Sequence, residues 1–290
     1  MTNKVRKVRH AVIPVAGFGT RMLPLSKSIP KELLPLGNLP VIHYVIEEAI
    51  AAGIKHIVLV THPQKQAIEN YFDINVELDT ALREGGKISL ADNLQWLPED
   101  VKISSIRQGQ RLGLGHAVAA ARPIIDGHDF AVLLPDVVID PFKTNYAKQN
   151  LAYMTQKFSE TGYSQILVDP VEKENIHKYG IARLDGQNQV YSKSKVNQSI
   201  AVAGFVEKPE AKNAPSNLAV VGRYVFDHQI LDYLDRTAPD KKGEIQLTDA
   251  IDALIASTRV DVTTMIGDSF DAGSMSTYLK AFAYFSEQQT

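Results

Sequence analysis

Between Pro14 and Pro35 the chain reads Pro-Val-Ala-Gly-Phe-Gly-Thr-Arg-Met-Leu-Pro-Leu-Ser-Lys-Ser-Ile-Pro-Lys-Glu-Leu-Leu-Pro. Gly17 and Gly19 leave the chain bare of side chains at two nearby positions, where backbone N–H groups can approach an anion closely. Arg21, Lys27 and Lys31 bring three cations into the same segment. Glycines alone are as well explained by a structural turn as by a ligand; the cations at this spacing move the balance toward a bound triphosphate. Neither familiar phosphate loop fits. A dinucleotide fingerprint needs a third glycine where Met22 stands, and a P-loop needs Gly-Lys-Ser/Thr after four intervening residues, which is absent.

A loop of this kind works at the end of a strand, and the apolar run Ala11–Val15 just before it supplies one. Further β-branched runs at His56–Thr61, Val101–Arg107 and Phe130–Leu134 predict strands. Helical periodicity predicts a helix over Val41–Ala52, capped by Gly53, and others over Pro63–Phe72, residues 76–91 and Gly115–Ala121. Alternation of this sort gives an α/β fold with a Rossmann-like mixed, mostly parallel central sheet flanked by helices. Ligands should collect at the edge where Val15, Gln108 and Pro135 end their strands. After Gln165–Val168 the runs Gly180–Leu184, Ala201–Val206 and Ala219–Val225 predict a smaller antiparallel subregion for a second substrate. A strand-like Val260–Ile266 separates two late helices, Ile245–Ala256 and Ser274–Phe285. No linker or repeat divides the chain, so residues 1–290 are expected to form one domain with two parts, over about 1–165 and about 166–290.

Bulk composition narrows the partners. A net charge of -2 gives no general attraction to nucleic acid or to an anionic membrane, so a polyanion must be held locally. Cysteine is absent, which rules out disulfides, thiolate metal sites and cysteine nucleophiles. No stretch approaches the roughly 20 apolar residues of a membrane span, and the basic residues 1–10 lead into no signal-peptide core. A cytoplasmic protein is expected.

Seven further segments accompany the opening loop in order: Arg107-Gln108-Gly109 with Gly113-Leu-Gly-His-Ala117, Leu133-Leu-Pro-Asp136-Val137, Val206-Glu207-Lys208-Pro209, Val221-Gly-Arg-Tyr-Val225, Glu244-Ile-Gln-Leu-Thr-Asp249 and Asp271-Ala-Gly273. Together with Gly17-Phe-Gly19-Thr20-Arg21, Leu23-Pro24 and Pro30-Lys31-Glu32, the chain resembles the bacterial UTP–glucose-1-phosphate uridylyltransferases. These belong to the glycosyltransferase-A-like nucleotidylyltransferase superfamily, and the resemblance covers nearly the whole chain.

That resemblance implies UTP and glucose 1-phosphate as substrates, Mg²⁺ as cofactor, UDP-glucose and pyrophosphate as products, and a homodimer or tetramer. It implies that the uracil rests on the backbone of Ala16 and Gly17, with Gly19 and Thr20 in the same nucleotide-binding turn, and is read by Gln108 and the Gly113 loop. An amide suits that task, having both a donor and an acceptor; by itself Gln108 would read as a strand-end surface residue. Arg21 and Lys31 would hold the β- and γ-phosphates, with Lys27 further out. Asp136 and Asp271 would hold the metal, Glu207 the sugar hydroxyls, Lys208 the sugar phosphate, and Gly180 would approach the hexose with its backbone. Strand alternation predicts that Glu207 and Lys208 point to opposite faces. His116 is expected to pack or orient, since attack by a phosphate anion needs no proton shuttle. One departure stands out: the family commonly continues Asp-x-Gly with a lysine two residues on, and this chain has Met275. A dTTP or CTP enzyme of the same fold, and a weakly active or regulatory paralogue that binds nucleotide, are the alternatives.

Overall fold

In the computed structural model, which describes residues 6–184 and 190–289, the strands are β1 (His10–Pro14), β2 (Pro35–Leu36), β3 (Leu39–Pro40), β4 (His56–Thr61), β5 (Lys102–Arg107), β6 (Phe130–Leu133), β7 (Val137–Ile139), β8 (Ser164–Pro170), β9 (Gly180–Leu184), β10 (Ser199–Glu207), β11 (Leu218–Phe226), β12 (Val260–Thr264) and β13 (Ser269–Asp271). The α-helices are α1 (Val41–Ala51), α2 (Gln66–Phe72), α3 (Val76–Glu84), α4 (Ile88–Leu94), α5 (Gly113–Ala120), α6 (Arg122–Ile125), α7 (Leu151–Thr161), α8 (Ile230–Arg236), α9 (Leu247–Ile255) and α10 (Met275–Gln288).

β1 explains the layering. Successive side chains of a strand face opposite ways, so Ala11 and Ile13 join a core with α1, α7 and α10, while Val12 joins a second core with α5, α8 and α9. A strand buried on both faces reads as a continuous apolar run, which is what the sequence shows there. β1 pairs in parallel with β4 on one side and β6 on the other, and β4 pairs with β5. The chain thus leaves β1 toward β4 and β5 and later returns to its other side. That reversal opens a crevice at the C-terminal end of β1, the end from which residues 15–21 leave the strand.

Nine strands form one sheet in the order β5-β4-β1-β6-β11-β8-β12-β10-β9. Parallel pairing, expected to dominate, is confined to β5-β4-β1-β6 and to β8 with β12; β11 runs antiparallel to β6, β8 and β9, and β10 to β9 and β12. The β9–β11 pairing closes five strands on themselves, so the antiparallel part is continuous with the main sheet. Two helices, α3 and α4, replace the single one expected over 76–91, because Gly85 and Gly86 stop the first. α7 and α8 were not among the expected elements, although Leu151, Met154, Thr155 and Phe158 bury one helical stripe. No helix among the described residues is long and apolar enough to cross a membrane.

Candidate active site

The two aspartates, 135 residues apart in sequence numbering (271 − 136), meet through a short ribbon outside the main sheet. β7 and β13 pair antiparallel with Asp271 opposite Val137, and Ala272 N–H donates to Asp136 O at 2.7 Å. Gly273 lies between their carboxylates. A Cβ there would stand 2.7 Å from Arg21 Nη2, 2.7 Å from Asp271 Oδ1 and 3.0 Å from Asp136 Oδ2. Two carboxylate oxygens and a guanidinium therefore converge on one point, which only glycine leaves open.

Lys31 Nζ donates to Asp136 Oδ2 at 2.5 Å, and Arg21 lies 3.8 Å from the same oxygen. Burial opposes ionisation of Asp136, but the charge and hydrogen bond of Lys31, helped by Arg21, outweigh it and hold this carboxyl below its ordinary value. The turn bearing Lys31 is pinned from behind, where buried Lys65 donates to the buried Glu32 at 2.8 Å.

Arg21, Asp136, Gly180, Glu207, Lys208 and Asp271 line a single cavity of about 660 Å³. Glu207 pairs with Gly180 across the β9–β10 ladder. Its Oε2 accepts from Thr248 at 3.3 Å and its Oε1 from Lys208 Nζ at 2.7 Å. The expectation that Glu207 and Lys208 face opposite ways is therefore wrong. β10 ends at Glu207, and Lys208 takes a left-handed backbone with φ of 46° while its N–H donates to Tyr179 O. Strand alternation stops one residue early, and the lysine folds back over its neighbour.

Ala16, Gly17, Gly19, Thr20, Lys31, Gln108 and Gly113 do not line this cavity. Thr20 and Lys27 line a second cavity of about 260 Å³, so consecutive residues Thr20 and Arg21 serve two hollows. Gly17 has open space where a Cβ would be, whereas Gly19 has φ of 67° and sits against Ser26. Gln108 is 4% exposed, not the surface residue its position alone suggested. Its amide nitrogen donates to Gly113 O at 3.2 Å and contacts His116 Nδ1 at 3.0 Å, which gives His116 an orienting part. The Gly113 loop is itself docked, with Ile245 N–H donating to Leu112 O and Gly115 N–H to Ile245 O. Met275 opens α10 and is partly exposed.

Arg111 escaped the sequence reading. Its Nε donates to Ala16 O at 2.8 Å and its guanidinium lies 3.2 Å from the Phe18 ring centre, tying the Gln108–Gly113 loop to the glycine turn. A cation between Gln108 and Gly113 was the available signal. Asp169 and Tyr179 also line the larger cavity. Burial, with Asp268 nearby and Lys193 opposing, pushes the Asp169 carboxyl up to about 6.

The nucleotidyl transferase family profile matches residues 10–288. A UTP–glucose-1-phosphate uridylyltransferase of Haemophilus influenzae is 49% identical over 276 residues, 95% of this chain and 92% of that protein. Among solved structures, a UTP-bound UGPase from Acinetobacter baumannii superposes with a TM-score of 0.88 at 42% identity, covering 97% of this chain and 94% of the other. A UDP-glucose pyrophosphorylase complexed with UDP-glucose gives 0.82 at 32% identity, covering 97% and 99%. With its α/β fold and a match over nearly its full length, the chain belongs to the nucleotidyl transferase family and, within it, to the UTP–glucose-1-phosphate uridylyltransferases.

Proposed function

We propose that the protein joins UTP and glucose 1-phosphate to give UDP-glucose and pyrophosphate. The observation that carries this reading is the convergence of Arg21, Asp136, Gly180, Glu207, Lys208 and Asp271 on one cavity beside the glycine turn. A phosphate oxygen of the sugar attacks the α-phosphorus of UTP, a P–O bond forms as the bond to the β-phosphate oxygen breaks, and pyrophosphate departs. The nucleophile is already an anion, so the protein's work is to bring two anions together and meet the charge that develops. Lys208 receives the sugar phosphate, Glu207 accepts hydrogen bonds from sugar hydroxyls, and the backbone of Gly180 borders the hexose. Arg21 and Lys31 hold the β- and γ-phosphates; Ala16, Gly17, Gly19 and Thr20 cradle the nucleotide, and Gln108 with Gly113 reads the base.

The carboxylate oxygens of Asp136 and Asp271, gathered around one point at Gly273, suit a hard cation that also keeps positions for phosphate and water. Mg²⁺ is the ion we assign to them; when bound, it supplies charge neutralisation at the α-phosphate. We read residues 1–165 as the nucleotide part and 166–290 as the sugar-phosphate part of one domain working in the cytoplasm. A dimer or tetramer is in keeping with the exposed Ile74, Val76, Leu78, Ile88, Leu90 and Leu94 on and beside α3 and α4.

The test is pyrophosphate release from glucose 1-phosphate with Mg²⁺, comparing UTP with dTTP, CTP, ATP and GTP. Fast release with UTP alone is expected. Absence of release with every nucleotide, despite UTP binding, would make the protein a regulatory paralogue that binds nucleotide.

A further inference from the structure

Arg223, in β11, has no exposed surface, and Glu48, in α1, is 1% exposed. Arg223 Nε and Nη2 both donate to Glu48 Oε2, at 3.0 and 2.8 Å. Two further donors go to backbone: Nη1 to Leu134 O at 3.1 Å and Nη2 to Val137 O at 2.7 Å. These two carbonyls flank Pro135 and Asp136. The guanidinium thus grips both ends of the four-residue turn that carries the aspartate.

Other contacts hold the same turn in register. Leu134 N–H donates to Gly222 O at 2.9 Å, and Val137 N–H reaches Leu134 O at 3.5 Å. Gly222 has φ of 96°, and a Cβ on it would lie 2.9 Å from Leu134 Cδ1, so the β11 backbone lies hard against the turn. Gly222 and Tyr224 line the large cavity, whereas Arg223 between them does not; alternation along the strand sends it to the rear face. It reaches the site only through the backbone around Asp136.

Stability alone is a poor reason for such a pair. Two apolar side chains of similar volume commonly do as well as a buried ion pair, and here Glu48 Oε1 has no hydrogen-bond partner. What an apolar pair lacks is a rigid planar fork able to hold two carbonyls of one turn at fixed positions. We propose that Arg223, oriented by Glu48, is a positioning residue that sets how Asp136 presents its carboxylate to the cavity, and thereby tunes divalent-cation binding there. This rests on reading Asp136 as a metal ligand.

The test pairs Glu48→Met/Arg223→Met, which removes both charges together, with Arg223→Lys, which keeps a charge but loses the fork. In either variant, amide hydrogen exchange across residues 134–138 should quicken at least tenfold. Mn²⁺ binding with UTP present, read from the electron paramagnetic resonance of the free ion, should weaken at least tenfold, and kcat should fall by more than KM for glucose 1-phosphate rises. Unchanged exchange over 134–138 together with unchanged Mn²⁺ affinity in a folded variant would overturn the proposal. Should the double variant fail to fold, Arg223→Lys decides alone by the same readings. Asp136→Asn separates the two ideas: if it leaves Mn²⁺ binding intact, the metal reading fails, while the exchange result still decides whether Arg223 positions the turn.

Discussion

Where β1, β4 and β6 begin, His10 stacks on His128 with ring centres 4.3 Å apart and lies 5.3 Å from His56; where they finish, Gly17, Arg21, Gln108 and Asp136 gather. Both ends are rich in polar side chains. At the first, the groups satisfy one another: His56 meets Ser104 Oγ at 2.8 Å, and Arg6 donates to both Asp129 and Asp227. Burial, then the neighbouring His128 and His56, lower the His10 pKa to about 4. At the second end, a cavity of about 660 Å³ and an unfilled position at Gly17 leave polar groups facing space. A perturbed pKa therefore does not mark the site by itself. Strand direction, a topological reversal and vacant volume do.

The largest effects that sharpen this contrast belong to the ligand end. Asp136→Asn and Lys208→Ala should each lower kcat/KM for UDP-glucose formation by at least about 10², the scale of losing one well-placed donor or charge, while both variants remain folded. Near-normal turnover in either would remove that residue from its assigned role. Gly17→Ala should follow, with roughly a tenfold rise in KM for UTP and an unchanged or slightly raised melting temperature, because the added methyl meets nothing until a ligand arrives. A fall in stability without a change in KM would make Gly17 a structural turn residue.

The smallest effect lies at the histidine end. The His10 pKa, lowered from 6.5 to about 4 in the fold, means that the folded state favours the neutral ring. Its contribution to stability is complete above pH 6.5 and is lost as pH falls toward 4. With the ring only half-buried, that loss is on the order of 1 kcal/mol after allowing for solvent screening. His10→Phe should flatten this part of the stability-versus-pH curve, measured by thermal unfolding at pH 7 and pH 5, and leave turnover at neutral pH unchanged. An equal pH slope in both proteins would show that His10 is not the group being titrated.

Local rules carried the sequence reading of β1, β4 and β9 because each is an apolar or alternating run with a glycine, proline or polar break beside it. α1 was equally plain, its apolar face ending at Gly53. The sheet's closure was not, since the one-residue contact between Ala219 and Ile181 depends on how β9 and β11 twist together. Nor was the site's depth. Asp136 and Asp271 could be matched to a family pattern, but the ribbon that brings them together is only three residues long on each side, too short to show a period. Lys208 misled for a related reason: alternation extrapolates through a strand end, and a backbone turn to φ of 46° has no signature in a lysine. Glu48 and Arg223 are 175 residues apart (223 − 48), so nothing local to either pointed to the other.

Lys31 is the counter-ion of Asp136. On the proposed reading, Asp136 and Asp271 would hold a divalent cation that neutralises the carboxylate, and Lys31 would then be free to meet the triphosphate beside the glycine turn. Cation and nucleotide would then be linked ligands, and whatever factor one adds to the affinity of the other would be returned in full.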